Sequence, residues 1–163
     1  FIGGVLAHIP ELTAIFFPNS NSYRRLVPAN FAPISLVWAV DNRTAAVRVL
    51  NEAAESTRAE LRVCGGDINV HLAMAAYLAA GLDGIEKGTD PGAAASGDLD
   101  EQDVPRLPDD WGDALDAFDA STWAKEALGE EFCRNFSVVK RFEYDTYRRT
   151  VPETERKSYI EFL

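Results

Sequence analysis

The chain has 163 residues, with 26 acidic and 16 basic side chains, a formal charge of −10 and 47% apolar residues. A single domain of that length buries roughly 70% of the surface its unfolded chain exposes. An acid excess without a sustained basic stripe argues against non-specific binding to nucleic acid, which rests on many Lys and Arg neutralising phosphates, and against anionic membranes.

Apolar residues at positions 1, 2, 5, 6, 9, 12 and 16 follow a helical period, so the chain is expected to open with an amphipathic helix that Pro10 kinks or restarts. The turn formers Pro18-Asn19-Ser20-Asn21-Ser22 then lead into Tyr23-Arg24-Arg25 and two prolines, an expected extended loop carrying two arginines. Three strands are predicted over 34–40, 44–50 and 58–64, the first two joined by Asp41-Asn42-Arg43 at hairpin spacing. Beyond Gly65-Gly66-Asp67, an Ala- and Leu-rich run over 69–86 predicts a helix buried on most sides and ended near Gly81 and Gly84.

Residues 88–108 are rich in Gly, Asp and Pro and read as a surface linker. Two or three further helices are expected, with Trp111, Leu115 and Phe118, then Phe132, Phe136 and Val139, as core positions. The nearly apolar run over 70–82 is too short to span a bilayer, and no signal peptide is read. Cys64 and Cys133 lack metal-ligand or CxxC spacing, which points to a reduced, cytoplasmic setting. The fold class expected is α+β, antiparallel strands covered by helices and closed by a helical tail. The chain starts at Phe1, its single methionine is Met74, and it reads as a partial domain of something longer.

The charge is unevenly spread. Residues 83–131 hold fifteen acids against three bases, a solvated surface, whereas residues 1–82 hold six of each and all six bases are arginine. Side chains two apart on a strand share a face, so Arg58, Glu60 and Arg62 project together while Ala59, Leu61 and Val63 project the other way. Arg48 on the neighbouring strand joins that row if the strands pair, with Arg43 and Arg25 close by. A guanidinium fork binds carboxylate or phosphate through two parallel hydrogen bonds and stays charged at any working pH. Spacing alone leaves two readings open: surface ion pairs, or a site for several anionic groups in which Glu60 is a hard oxygen ligand for a divalent cation.

Four ordered segments carry a resemblance: Asn21-Ser22-Tyr23-Arg24-Arg25-Leu26-Val27-Pro28, Asn42-Arg43-Thr44-Ala45-Ala46-Val47-Arg48, Arg58-Ala59-Glu60-Leu61-Arg62 and Ala79-Ala80-Gly81-Leu82-Asp83-Gly84-Ile85-Glu86. Together they resemble the C-terminal part of the catalytic domain of the glutamine synthetase family, in that family's order. The resemblance implies an ATP-dependent ligase that phosphorylates the γ-carboxylate of glutamate and lets an amine attack the acyl phosphate. It also implies a divalent Mg²⁺ or Mn²⁺ cofactor and a parent protein that is a homo-oligomer of stacked rings with active sites between subunits.

Carried over by position, Arg25 and Arg43 match arginines on glutamate, Arg43 also reaching the transferred phosphate. Arg62 matches one on the reacting carboxylate or its phosphate. Arg48 and Arg58 match nucleotide-phosphate contacts, and Glu60 matches a metal ligand. The catalytic pair by this resemblance is Arg43 and Arg62.

Three departures stand out. Phe31, in Pro28-Ala29-Asn30-Phe31-Ala32-Pro33, occupies the place of a carboxylate that serves ammonium in glutamine synthetases proper, and an apolar ring neither binds ammonium by charge nor acts as a base. This, with Trp38-Ala39-Val40-Asp41-Asn42-Arg43-Thr44, is similar to the γ-glutamylpolyamine synthetase branch. The family's lysine near the nucleotide is missing from 51–56, and no tyrosine between Tyr77 and Tyr144 marks a site for adenylylation. A polyamine or other primary amine is the expected co-substrate and Phe31 part of its pocket. Ammonia is the runner-up, and a non-catalytic binding or regulatory protein is the competing class. His8 and His71 read mainly as packing residues, whereas Trp38 reads equally as strand core or as lining of an amine or adenine pocket. The chain alone is expected to be inactive, because the family's upstream metal carboxylates lie outside it.

Overall fold

The computed structural model describes residues 1–28, 30, 32–160 and 162. Helix α1 (Ile2–Phe16) lies at the centre, and Val5, Ile9, Leu12, Ile15 and Phe16 on it are almost wholly buried. The helix runs on through Pro10, which itself donates no backbone hydrogen bond, rather than ending there. An interior proline disfavours a helix by about 3 kcal/mol, and the packing of this helix against two others and the sheet offsets that. The arginine-bearing loop is in part helical: α2 (Ser20–Tyr23) is capped by Asn19, whose side-chain oxygen accepts from the backbone N–H groups of Asn21 and Ser22 at 2.9 and 3.2 Å.

Strands β1 (Ser35–Val40), β2 (Ala45–Leu50) and β3 (Arg58–Leu61) form one sheet in that order. The expectation of antiparallel strands throughout is corrected here. β2 and β3 pair antiparallel, with Arg48 opposite Glu60, but β1 and β2 pair in parallel, with Val40 opposite Val49. The Asp41-Asn42-Arg43 spacing is therefore not a hairpin. Asp41 takes a positive φ of 46°, which Asp tolerates better than most residues. Asn42 Oδ1 accepts from Thr44, while Asn42 Nδ2 donates to the carbonyl of Gly97 at 2.8 Å. The turn is thus tied to a distant segment instead of closing on its own strands. That segment, 88–108, lies along the outer edge of β1: Ala95 N–H donates to Trp38 O, and Leu36 N–H to Pro105 O. Most of it is exposed, yet Leu99 is fully buried with Ala39 and Ala45.

Helix α3 (Val70–Glu86) is capped by Asn69, which accepts from Leu72 N–H at 3.2 Å. It buries one face only, Ala73, Ala76, Ala80, Gly81 and Gly84, and runs on past both glycines. The glycines are contact points rather than a stop signal. A Cβ on Gly84 would drive into the backbone of Gly4, one on Gly4 into Ala80 and Gly84, and one on Gly81 into the ring of Phe1. The opposite face, Val70, Met74, Leu78, Leu82 and Ile85, stands about half exposed. His71 is exposed there as well, not packed among apolar neighbours.

Helix α4 (Trp111–Ala120) packs Trp111, Leu115 and Phe118 against α1, capped by Asp110. Helices α5 (Thr122–Leu128), α6 (Glu130–Arg149) and α7 (Glu153–Ile160) complete the chain. On α6 only Cys133 is fully buried; Phe132 and Phe136 are partly so. Val139, expected in the core, is 54% exposed. No helix among the described residues is long and apolar enough to cross a membrane.

Candidate active site

The alternation on β3 is as predicted: Leu61 and Ala59 pack against the core while Arg58 and Glu60 face away from it. Register places Arg48 beside Glu60, and the carboxylate becomes the hub of an arginine ring. Arg48 Nη1 donates to Glu60 Oε2 at 3.2 Å, Arg58 Nε donates to Glu60 Oε1 at 3.2 Å, and Arg62 Nη1 stands 4.0 Å from Oε2. Arg48 also donates to the carboxylate of Asp41. Arg62 Nε donates to the backbone carbonyl of Arg43 at 3.1 Å, which ties the row to the turn after β1. The guanidinium of Arg43 is exposed and in no ion pair among the described residues.

The electrostatics follow the count of charges, with four guanidinium groups against two carboxylates. Desolvation raises the Glu60 carboxyl, but the hydrogen bonds and charges of Arg48 and Arg58 outweigh it and hold it below the usual range. Asp41 is held low chiefly by its hydrogen bond from Arg48. Arg62 is pushed down by desolvation and by the like charges of Arg48 and Arg43, with Glu60 opposing. A cluster whose cations repel one another gains from an added anion.

Arg25 stands against the chain that follows β3, near Gly65. Its guanidinium lies 5.9 Å over the ring of Phe17, and a Cβ on Gly65 would come within 3.4 Å of its Nη2. Its Nε is buried without a hydrogen-bond partner among the described residues, and it makes no ion pair with the Glu60 group among them. Asp67 positions the loop that carries it, accepting from Asn19 Nδ2 at 2.6 Å and Ser22 Oγ at 3.3 Å.

The structure therefore brings Arg48, Arg58, Glu60, Arg62 and the Arg43 backbone together, and it sets Arg25 against Phe17 and Gly65, in none of the contacts of that group among the described residues. Sequence reasoning missed Asp41 and Asp67. Asp41 had a signal, lying directly before Asn42-Arg43, whereas Asp67 was legible only as a turn residue. Phe31 lies outside the described residues.

Among the described residues no three His, Cys, Asp or Glu gather to hold a metal. Mg²⁺ is commonly held by one or two carboxylates with substrate phosphates and water, and Glu60, its carboxylate 29% exposed, fits as one such donor. Both cysteines are free, and burial pushes both thiols up, Cys64 to about 12. His8 is a packing residue, stacked on Trp123 with ring centroids 3.6 Å apart and bonded to Asp83 at 2.9 Å. Trp38 is partly buried and donates to the carbonyl of Gly92 at 3.1 Å.

Residues 1–159 match the family described as glutamine synthetase, catalytic domain, and the chain belongs to that family. It is 42% identical over 169 residues to a glutamine synthetase of Halobacterium salinarum, covering 99% of this chain and 37% of that protein. It is also 36% identical over 160 residues to a gamma-glutamylethanolamide synthetase of Streptomyces coelicolor, covering 98% of this chain and 34% of that one. Among solved structures, ligand-free GmaS superposes with a TM-score of 0.84 at 36% identity, covering 98% of this chain and 37% of that chain. The GmaS complex with ADP superposes at 0.86 and 35% identity, covering 98% and 38%. The chain spans little more than a third of the length of these relatives.

Proposed function

We propose that this chain forms the arginine-rich part of the active site of an ATP-dependent ligase that joins the γ-carboxyl of glutamate to an amine. The observation that carries the reading is the Glu60 hub with its surplus of guanidinium groups. In this reading a γ-carboxylate oxygen of glutamate attacks the γ-phosphorus of ATP and ADP leaves. The amine nitrogen then attacks the acyl carbon, phosphate departs, and the nitrogen sheds a proton. Such chemistry depends on positioning and on stabilising charge on phosphoryl oxygens.

Arg25 and Arg43 hold glutamate, and Arg43 and Arg62 face the developing charge. Arg58, its side chain 55% exposed, reaches nucleotide phosphate. Arg48 is already shared by Asp41 and Glu60, so toward the nucleotide it acts through holding Glu60 as well as by contact. Glu60 would hold Mg²⁺ or Mn²⁺, which neutralises phosphate charge when bound. The intact protein in this reading is a homo-oligomer of stacked rings, which light scattering on the full-length protein tests.

Phe31 in place of a carboxylate favours a primary amine over ammonia, and the likeness to an ethanolamide synthetase supports that. The second reading, ammonia, is supported by the 42% identity to a glutamine synthetase. Phosphate release by the full-length protein with glutamate, ATP and each of ethanolamine, methylamine, putrescine and ammonia separates them. Faster release with a primary amine is expected, and ammonia outperforming every amine would overturn it. Binding of glutamate and ATP without release under any amine would favour the non-catalytic class.

A further inference from the structure

A cleft of about 380 Å³ lies between α2, the N-terminus of α4 and the last turns of α6, and it belongs to no part of the arginine cluster. Its walls are aromatic. Tyr23 and Trp111 stack with centroids 6.4 Å apart, Tyr144 meets Trp111 edge-on at 5.8 Å, and Tyr147 tilts against it at 6.2 Å. Behind these walls Tyr23 Oη and Trp111 Nε1 are buried, closed off from the cleft, and without a hydrogen-bond partner among the described residues. Burial, with the charge of Asp110, pushes the Tyr23 hydroxyl up, and it stays protonated.

The rim carries both signs of charge. Arg24 and Arg148 stand there with Asp109 and Asp110, and among the described residues none of the four is in an ion pair. Asp110 is committed to capping α4, which leaves Asp109 as the free acid. Two cations balanced by two acids do not suit a polyphosphate, and a simple cationic amine would be repelled by both arginines. A zwitterion satisfies the set: a carboxylate for the guanidinium forks, an ammonium for Asp109, and a flat side chain laid on the exposed ring of Tyr147.

We propose that this cleft binds a free α-amino acid with an aromatic side chain. Calorimetric titration of the full-length protein, followed also by tryptophan fluorescence, tests this with L-phenylalanine, N-acetyl-L-phenylalanine and L-phenylalaninamide. L-phenylalanine should bind, and each blocked derivative roughly tenfold or more weakly, as expected for one lost charge-assisted hydrogen bond. Arg148→Ala and Asp109→Asn, both at exposed positions, should each weaken L-phenylalanine by roughly the same factor. Arg43→Ala should leave its affinity unchanged. Equal affinity for all three probes would overturn the proposal, as would no binding at millimolar L-phenylalanine. So would binding that Arg43→Ala abolishes and Arg148→Ala spares, since that places the amino acid in the arginine cluster instead.

Discussion

Glu60 is a single negative charge that three guanidinium groups approach within 4.0 Å. Glu60→Gln keeps the shape and removes the charge, so Arg48, Arg58 and Arg62 are left to repel one another. Loss of ligase activity in the full-length protein with little change in melting temperature is the expected result. Arg62→Lys keeps the charge but loses the fork, and kcat should fall by about 10²–10³-fold, the range seen when one preorganised donor to a developing anion is removed. Asp83 makes a different test. Its hydrogen bonds from Lys87, first, and His8 hold its carboxyl down to about 2. A carboxyl whose folded value is depressed contributes stability above its unfolded value near 4, and that contribution fades as pH falls toward about 2. Asp83→Asn should therefore narrow the gap between melting temperatures at neutral pH and at pH about 3, as read by circular dichroism. At this scale the sequence was legible where a pattern has a period. The 58/60/62 row follows from strand alternation, whereas Asp41 and Asp67 enter through turns whose partners lie elsewhere in the fold.

Helix α3 shows what an element owes to its ends and its faces. Asn69 accepts from Leu72 N–H, and Asn69→Ala should lower stability by about 1 kcal/mol, a shift of roughly 2–4 °C in melting temperature for a chain of this size. A shift smaller than the scatter between preparations would show the cap to be redundant. The extent of this helix was legible from composition, but its burial was not. Ala and Leu at nearly every position satisfy a buried helix and a one-sided helix equally, and only the neighbours decide. The β1–β2 pairing was misjudged for a related reason. A short connection implies a hairpin only when it closes on itself, and here Asn42 and Thr44 bond to residues 97 and 99 instead.

Across the whole molecule, the exposed apolar residues fall into lines rather than scattering. Val70, Met74, Leu78, Leu82 and Ile85 form one along α3, and Val138, Val139 and Phe142 another on α6. Lone exposed apolar side chains are ordinary, and contiguous ones signal a missing neighbour or a liability. The 163-residue chain by itself should bind a hydrophobic dye strongly, and Met74→Lys with Leu82→Lys should reduce that fluorescence without changing the helix content. It should also release no phosphate from ATP with glutamate and any amine. Measurable turnover by this chain would show that its arginine cluster needs no further carboxylates. The overall class, strands and helices in this order, was legible because each segment keeps its own period. Which faces would be left bare was not, because that depends on what packs against them.

The backbone contact between Gly4 and Gly84 has a consequence for how mutations combine. The two residues do not stabilise independent things; they share one closeness of α1 and α3. Ala at either position must push the helices apart, and once they have moved the second Ala meets little further resistance. The double variant Gly4→Ala with Gly84→Ala should therefore be far less destabilised than the sum of the single variants, a coupling that a double-mutant cycle reads directly. Such a pair drifts together or not at all: the first change is the barrier, and the second is nearly free.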